Sequence, residues 1–140
     1  MLLDLEPLKK AVDVLKRSLA VAHSEERMAP LDTETREVVR MGVVQGFEMA
    51  YEVCWKFMKR WLEAKYDPAA VGSKTRRGIF LLAAENRLIG NVQRWMDFNQ
   101  ARNETSHTYD PATAEGVFCE ASEFLAEAQK LLAALEANND

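Results

Sequence analysis

Apolar residues recur at three- and four-residue intervals through most of the chain, the period that gathers them on one face of an α-helix. From Leu5 to Ala22 the stripe is Leu5, Leu8, Val12, Leu15 and Leu19, which predicts a first helix. Glu25 to Leu31, with Pro30, reads as a loop, and Asp32 or Thr33 then offers a side-chain oxygen to cap the next helix. That second helix is long. Val39, Val43, Phe47, Ala50, Cys54, Met58 and Trp61 hold the period to about Ala64, before Tyr66-Asp67-Pro68 breaks it. Gly42 and Gly46 weaken it locally and give a neighbouring helix room for close approach.

After a loop ending in Gly72, Ser73 is the expected cap of a shorter helix from Lys74 to Arg87, with Ile79, Leu82 and Ala83 inward, closed by Gly90 and Asn91. A fourth helix starts at Val92 and carries Trp95, Met96 and Asn99. It must stop by Asp110, because Pro111 disfavours helical geometry in the residue before it. Asp110 and Pro111 then supply a cap and a first-turn proline for a final helix, whose apolar face is Val117, Phe118, Ala121, Leu125, Ala128, Leu132 and Leu135. The tail from Ala137 to Asp140 is expected to fray. Three long and two short helices predict an all-α fold, an antiparallel up-and-down bundle of four-helix type with one position filled by the short pair. Residues 1–140 read as one domain.

Composition agrees: 48% of the 140 residues are apolar, enough for one ordinary core, and only six glycines and four prolines interrupt the helix-forming residues. A formal charge of −4 argues against a dedicated duplex-DNA binder, which needs a cationic face to displace counterions. Cys54 and Cys119 lack paired metal or redox spacing and read as buried thiols in a reducing compartment. The first residues carry neither a basic leader nor a membrane-spanning apolar run, so a soluble, cytoplasmic protein is expected.

The segment that periodicity does not explain is Arg102-Asn103-Glu104-Thr105-Ser106-His107-Thr108-Tyr109. Arginine presents a permanently charged planar fork suited to phosphate, and a neutral histidine can take or give a proton near neutral pH. Those are the parts of a metal-independent ribonuclease, and Ser106, Thr108 and Tyr109 add hydroxyls that can orient a phosphate or a base. On an ideal helix at ~100° per residue, however, His107 lies about 140° around from Arg102, while Ser106 shares its face. Unwinding before Pro111 would relieve that separation. The alternative is structural: Arg102 pairs with a carboxylate, His107 sits at the negative helix end and Tyr109 packs. Spacing leaves both open.

The same motif resembles the Arg-x(4–6)-His, x-Tyr pattern of the HEPN superfamily, and in detail its nucleotidyltransferase substrate-binding branch. A second block, Gly46-Phe47-Glu48-Met49-Ala50-Tyr51-Glu52-Val53-Cys54-Trp55-Lys56, resembles that branch's Phe-Glu-x-x-Tyr-Glu-x-x-Trp-Lys element, and Ile89 through Trp95 resembles its lead-in to the arginine. Glu48, Glu52 and Lys56 fall four apart and form a polar row. The row is either a solvated ion-pair face or, as the resemblance implies, the lining of a substrate groove with Asn103 and Ser106.

The resemblance also implies a helical homodimer working beside a separate small nucleotidyltransferase with Gly-Ser and Asp-x-Asp elements. This chain has Gly72-Ser73 but no Asp-x-Asp, so the two-metal chemistry would belong to the partner. No metal or cofactor is called for here. Two functions follow from the resemblance. The first is a substrate- or nucleotide-binding subunit of a toxin–antitoxin type module. The second is a ribonuclease in which Arg102 and His107 are catalytic and adenylylation of Tyr109 silences cleavage. The other histidine, His23, lies outside any motif, so paired His107 side chains across a dimer would be the simplest acid and base. Lys74, Arg76 and Arg77 form a basic cluster that either contacts nucleotide or RNA phosphates or is a solvated face.

Overall fold

A computed structural model describes residues 2–139, and they fold into seven α-helices and one 3-10 turn, with no strand among them. The five expected helices are present as α1 (Glu6–Ala22), α3 (Thr33–Lys65), α5 (Arg76–Glu85), α6 (Val92–Glu104) and α7 (Pro111–Ala137). Two single turns, α2 (Glu25–Met28) and α4 (Pro68–Gly72), occupy stretches expected as loops. Each is built by a cap: Ser24 accepts from the Arg27 amide, and Asp67, followed by Pro68, accepts from Ala69.

Capping corrects two further boundaries. Thr75, not Ser73, caps α5 by accepting from the Gly78 amide, so α5 starts at Arg76. It ends at Glu85 rather than Arg87, because Arg87 takes a left-handed φ of 61°. The Arg87 amide then donates to the Ala84 carbonyl and the Leu88 amide to Ala83, a Schellman closure formed without glycine. Asn91 caps α6 through the Arg94 amide, as Asp32 caps α3 and Asp110 caps α7.

Contacts along the chain fix how the helices run. Leu3 meets Asn139, Lys9 meets Glu136 and His23 meets Ser122, so α1 and α7 run in opposite directions. Asn99 reaches Tyr51, and Thr105, just past the end of α6, reaches Glu48, so α6 returns against α3. Gly46 faces α1, but a Cβ there would lie 3.7 Å from the Leu15 Cα, an ordinary van der Waals distance, so the packing of α1 on α3 does not require glycine. Gly42 faces open space.

The core is one cluster with an aromatic centre in which Phe124 meets Phe47, Tyr51, Trp95 and Phe98, at centroid distances of 5.3, 6.0, 5.4 and 5.0 Å. On α7 the buried stripe is Val117, Phe118, Ala121, Phe124, Ala128, Leu131 and Leu135, so Leu125 and Leu132 flank it instead of centring it. Cys54 is buried as expected, and burial pushes its thiol pKa up. Cys119 is not buried: it lies on the exposed side of α7 near Glu115. The tail is also better held than expected, because Asn139 exchanges hydrogen bonds with Leu3 and the Trp61 indole donates to the Asn138 carbonyl. Asp140 lies outside the described residues. No helix among the described residues is long and apolar enough to cross a membrane.

Candidate functional site

The helix carrying Arg102 ends earlier than Pro111 alone requires. Regular α-geometry stops at Glu104, and Thr105–His107 form a 3-10 turn. The Thr105 hydroxyl is 2.8 Å from the Arg102 carbonyl and shares its single proton between that carbonyl and the Glu48 carboxylate, and this bonding back to the preceding turn competes with helix continuation. The Asp110 amide then reaches the His107 carbonyl at 3.2 Å, and Asp110 starts α7. The expected unwinding is therefore present, from Thr105 onward.

It does not bring His107 to Arg102. Arg102 points across to α3, where its Nε donates to Glu52 Oε1 at 3.0 Å and its Nη1 lies 3.9 Å from Glu48 Oε2. Thr105 ties the group together, donating to Glu48 Oε2 at 2.7 Å and accepting from Arg102 Nη1 at 3.2 Å. Glu48 and Glu52, one helical turn apart, would repel each other; the guanidinium between them neutralises that cost. Arg102 is 29% exposed and Thr105 is buried, whereas the Glu48 and Glu52 side chains are 42 and 38% exposed, so the group is half open to water. Lys56, third in the expected polar row, is exposed and is not part of this group.

One turn further along α6, Asn99 Oδ1 accepts from the Tyr51 hydroxyl at 2.9 Å, and Arg76 Nη1 lies 3.3 Å from the same hydroxyl. Arg76 also stacks 3.7 Å above the Trp55 ring. Burial pushes the Tyr51 pKa up to about 12, against the opposing pull of Arg76. Of the basic cluster, Arg76 is thus engaged in joining α5 to α3, whereas Lys74 and Arg77 are exposed.

The other half of the motif faces outward. Asn103, Ser106 and His107 are exposed, and Tyr109 is 85% exposed, its ring 6.2 Å from that of His107 in an edge-on arrangement. Tyr109, Thr108 and Pro111 line a cleft of about 310 Å³ together with Glu37, Arg40 and Met41 of α3 and Ala114 and Glu115 of α7. A shallower groove of about 800 Å³ continues along α3 past Val38, Met41 and Gln45 to Glu48 and Thr105. The two halves of the motif thus lie on one continuous surface.

Of the expected row Glu48, Glu52 and Lys56, the structure sets the first two against Arg102, and it adds Thr105, which sequence reasoning omitted from the site. The available signal was its spacing: three residues after Arg102, at a helix end, a threonine hydroxyl shares the arginine's face. Arg40 was also missed. Its partners Glu115 and Phe118 lie on α7, far away in sequence, and give no local pattern.

Residues 3–137 match the family model described as nucleotidyltransferase substrate binding protein like. A Haemophilus influenzae protein named "Probable ribonuclease HepT" is 35% identical over 99 residues, which cover 70% of this chain and 68% of that protein. A solved Haemophilus influenzae structure, described as revealing the fold of a substrate binding domain of a nucleotidyltransferase, superposes with a TM-score of 0.91 at 28% identity, covering 95% of this chain and 99% of that one. A Thermus thermophilus structure shares the fold at a TM-score of 0.70 and 22% identity, over 91% of this chain and 98% of that one. With the family model spanning nearly the whole chain and a substantial relative beside it, this protein belongs to the nucleotidyltransferase substrate-binding protein-like family.

Proposed function

We propose that this chain is the binding subunit of a two-protein system in the cytoplasm, a homodimer that presents Tyr109 to a separate small nucleotidyltransferase. The observation that carries this reading is the asymmetry of the motif: Arg102 is held by two carboxylates and a threonine, while Tyr109 stands 85% exposed beside a cleft. An exposed phenol is what a second enzyme can reach. The absence of Asp-x-Asp from the sequence assigns the metal ions and the nucleoside triphosphate to the partner. In the transfer, Tyr109 Oη attacks the α-phosphorus, the phosphorus–oxygen bond to tyrosine forms, the α–β phosphoanhydride breaks and pyrophosphate leaves. The phenolic proton passes to solvent.

A second copy is the occupant this reading gives to the N-terminal half of α3. Val38, Met41 and Met49 are 69, 46 and 54% exposed there, an apolar stripe at helical spacing alongside the groove that ends at Glu48 and Thr105. Covering it would bring two copies of the motif together, in keeping with a toxin–antitoxin type dimer.

Co-expression with a separate small nucleotidyltransferase carrying Gly-Ser and Asp-x-Asp elements is the test. A complex on size exclusion and an intact-mass gain of whole nucleotidyl units, lost in Tyr109→Phe, are expected; no complex and no mass gain would refute the reading. The ribonuclease reading draws support from the name of the Haemophilus relative. In it His107 exchanges the proton and Arg102 leaves Glu48 and Glu52 to bind the scissile phosphate. RNA cleavage without added metal that disappears in His107→Ala would favour it, and adenylylated Tyr109 would then be its off state.

A further inference from the structure

The cleft beside Tyr109 contains a cation that neither half of the motif accounts for. Arg40, on α3, lies with its guanidinium carbon 4.0 Å above the Phe118 ring, which fixes the plane of the fork, and it pairs with Glu115 of α7. Its side chain remains 39% exposed and lines the same cleft as Tyr109 and Thr108. The positive end of α7 is already occupied by its own cap, Asp110, so Arg40 is the cationic side chain of a lining that also carries the carboxylates of Glu37 and Glu115. Met41 and the Tyr109 ring add apolar and aromatic surface to the same space.

We propose that this cleft seats a nucleoside monophosphate unit, with Arg40 as the phosphate-binding residue and Glu115 as the internal anion that the phosphate displaces. A guanidinium held by a ring below and a carboxylate at its edge is a fork already oriented for an oxyanion. Glu115 is 60% exposed on the first turns of α7 and can swing into water when a phosphate takes its place. The exposed faces of Tyr109 and Met41 then cover the base. The cleft volume of about 310 Å³ is at the small end of ligand sites, which suits one nucleotide unit and not a folded polymer. The proposal rests on the binding-subunit reading and deepens it: a nucleotidyl group joined to Tyr109 would find its phosphate within the reach of Arg40, and a free nucleotide would occupy the same place.

The experiment uses the full chain and adenosine 5′-monophosphate, with adenosine as the control lacking phosphate, followed by NMR and calorimetry. The monophosphate is expected to shift resonances of Met41, Thr108 and Tyr109, and adenosine to bind at least about tenfold more weakly. Arg40→Ala should weaken monophosphate binding about tenfold, and Glu115→Gln, which removes the competitor, should strengthen it about threefold or more. Opposite signs from the two variants exclude general unfolding as the cause. Unchanged affinity in both, or shifts confined to residues outside the cleft, would overturn the proposal.

Arms with the nucleotidyltransferase distinguish the sources. In the nucleotidylated protein, Arg40 and Glu115 side-chain resonances should shift as they do with free nucleotide. If Tyr109 is modified but those resonances do not move, the binding-subunit reading stands and the Arg40 seat falls. If free monophosphate binds in an Arg40-dependent way and Tyr109 is never modified, the seat stands and the acceptor role of Tyr109 falls.

Discussion

Arg102 and Tyr109 are separated by seven positions in sequence and by a change of physical environment. Arg102 lies in a built corner, where Glu48, Glu52 and Thr105 satisfy it and the Tyr51–Asn99–Arg76 group braces the helices one turn away. Tyr109 lies on a presented edge, 85% exposed and touching His107 alone among the aromatic rings. The boundary between them is the 3-10 turn that Thr105 closes. Charged chemistry placed in a satisfied network contributes first to structure, whereas a group on an open edge is free to be recognised. One short motif can therefore serve both purposes, provided that the helix ends between them.

The largest effect should come from removing the support common to both. Phe124→Ala deletes the ring that meets four aromatic neighbours, and a loss of about 3–5 kcal/mol in urea denaturation is expected. An equally stable variant would mean that the aromatic centre is not what holds α3, α6 and α7 together.

Alkaline pH offers a second handle on the built corner. The Tyr51 pKa is raised to about 12 from 10.0, so between those values the unfolded chain has lost the proton that the folded protein keeps. Folding stability must then fall as pH rises through that window, by about 3 kcal/mol in all. Tyr51→Phe should be less stable at neutral pH, by about 1 kcal/mol, and should show a flatter decline from pH 10 to 12. Matching slopes in the two proteins would remove Tyr51 from the account.

The smallest effects separate the two regions most directly. Thr105→Val keeps the shape but removes the hydroxyl between Glu48 and Arg102, at an expected cost of about 1–2 kcal/mol. Tyr109→Ala should cost less than about 0.5 kcal/mol, as an exposed side chain does. Equal losses would erase the distinction between built and presented.

The long-range order of the fold was legible because it rests on local rules. Asp32, Asn91 and Asp110 cap helices where a short polar side chain precedes an apolar period, and the stripes of α1 and α3 are regular enough to name the core. The one-turn helices were not, because four or five residues are too few to show a period; only Ser24 and Asp67-Pro68 mark them. Cys119 was misplaced because α7 is apolar around much of its circumference, which blurs the edge of its buried face. In the site, resemblance and four-residue spacing singled out Glu48, Glu52 and Arg102, which the fold sets against one another. Thr105 and Arg40 were not singled out, since the Thr105–Glu48 and Arg40–Glu115 contacts are made between distant segments and have no imprint on neighbouring residues.

The paired bonds between Leu3 and Asn139 have a practical consequence for how this molecule can be handled. They place both described ends of the chain where α7 finishes, and α7 runs 27 residues, about 40 Å, from the motif at its start. A tether, an affinity handle or a fused reporter attached at either end would stand a full helix length away from Tyr109. A surface that holds the molecule beside Leu3 and Asn139 would leave Tyr109 and its cleft at the far end of α7.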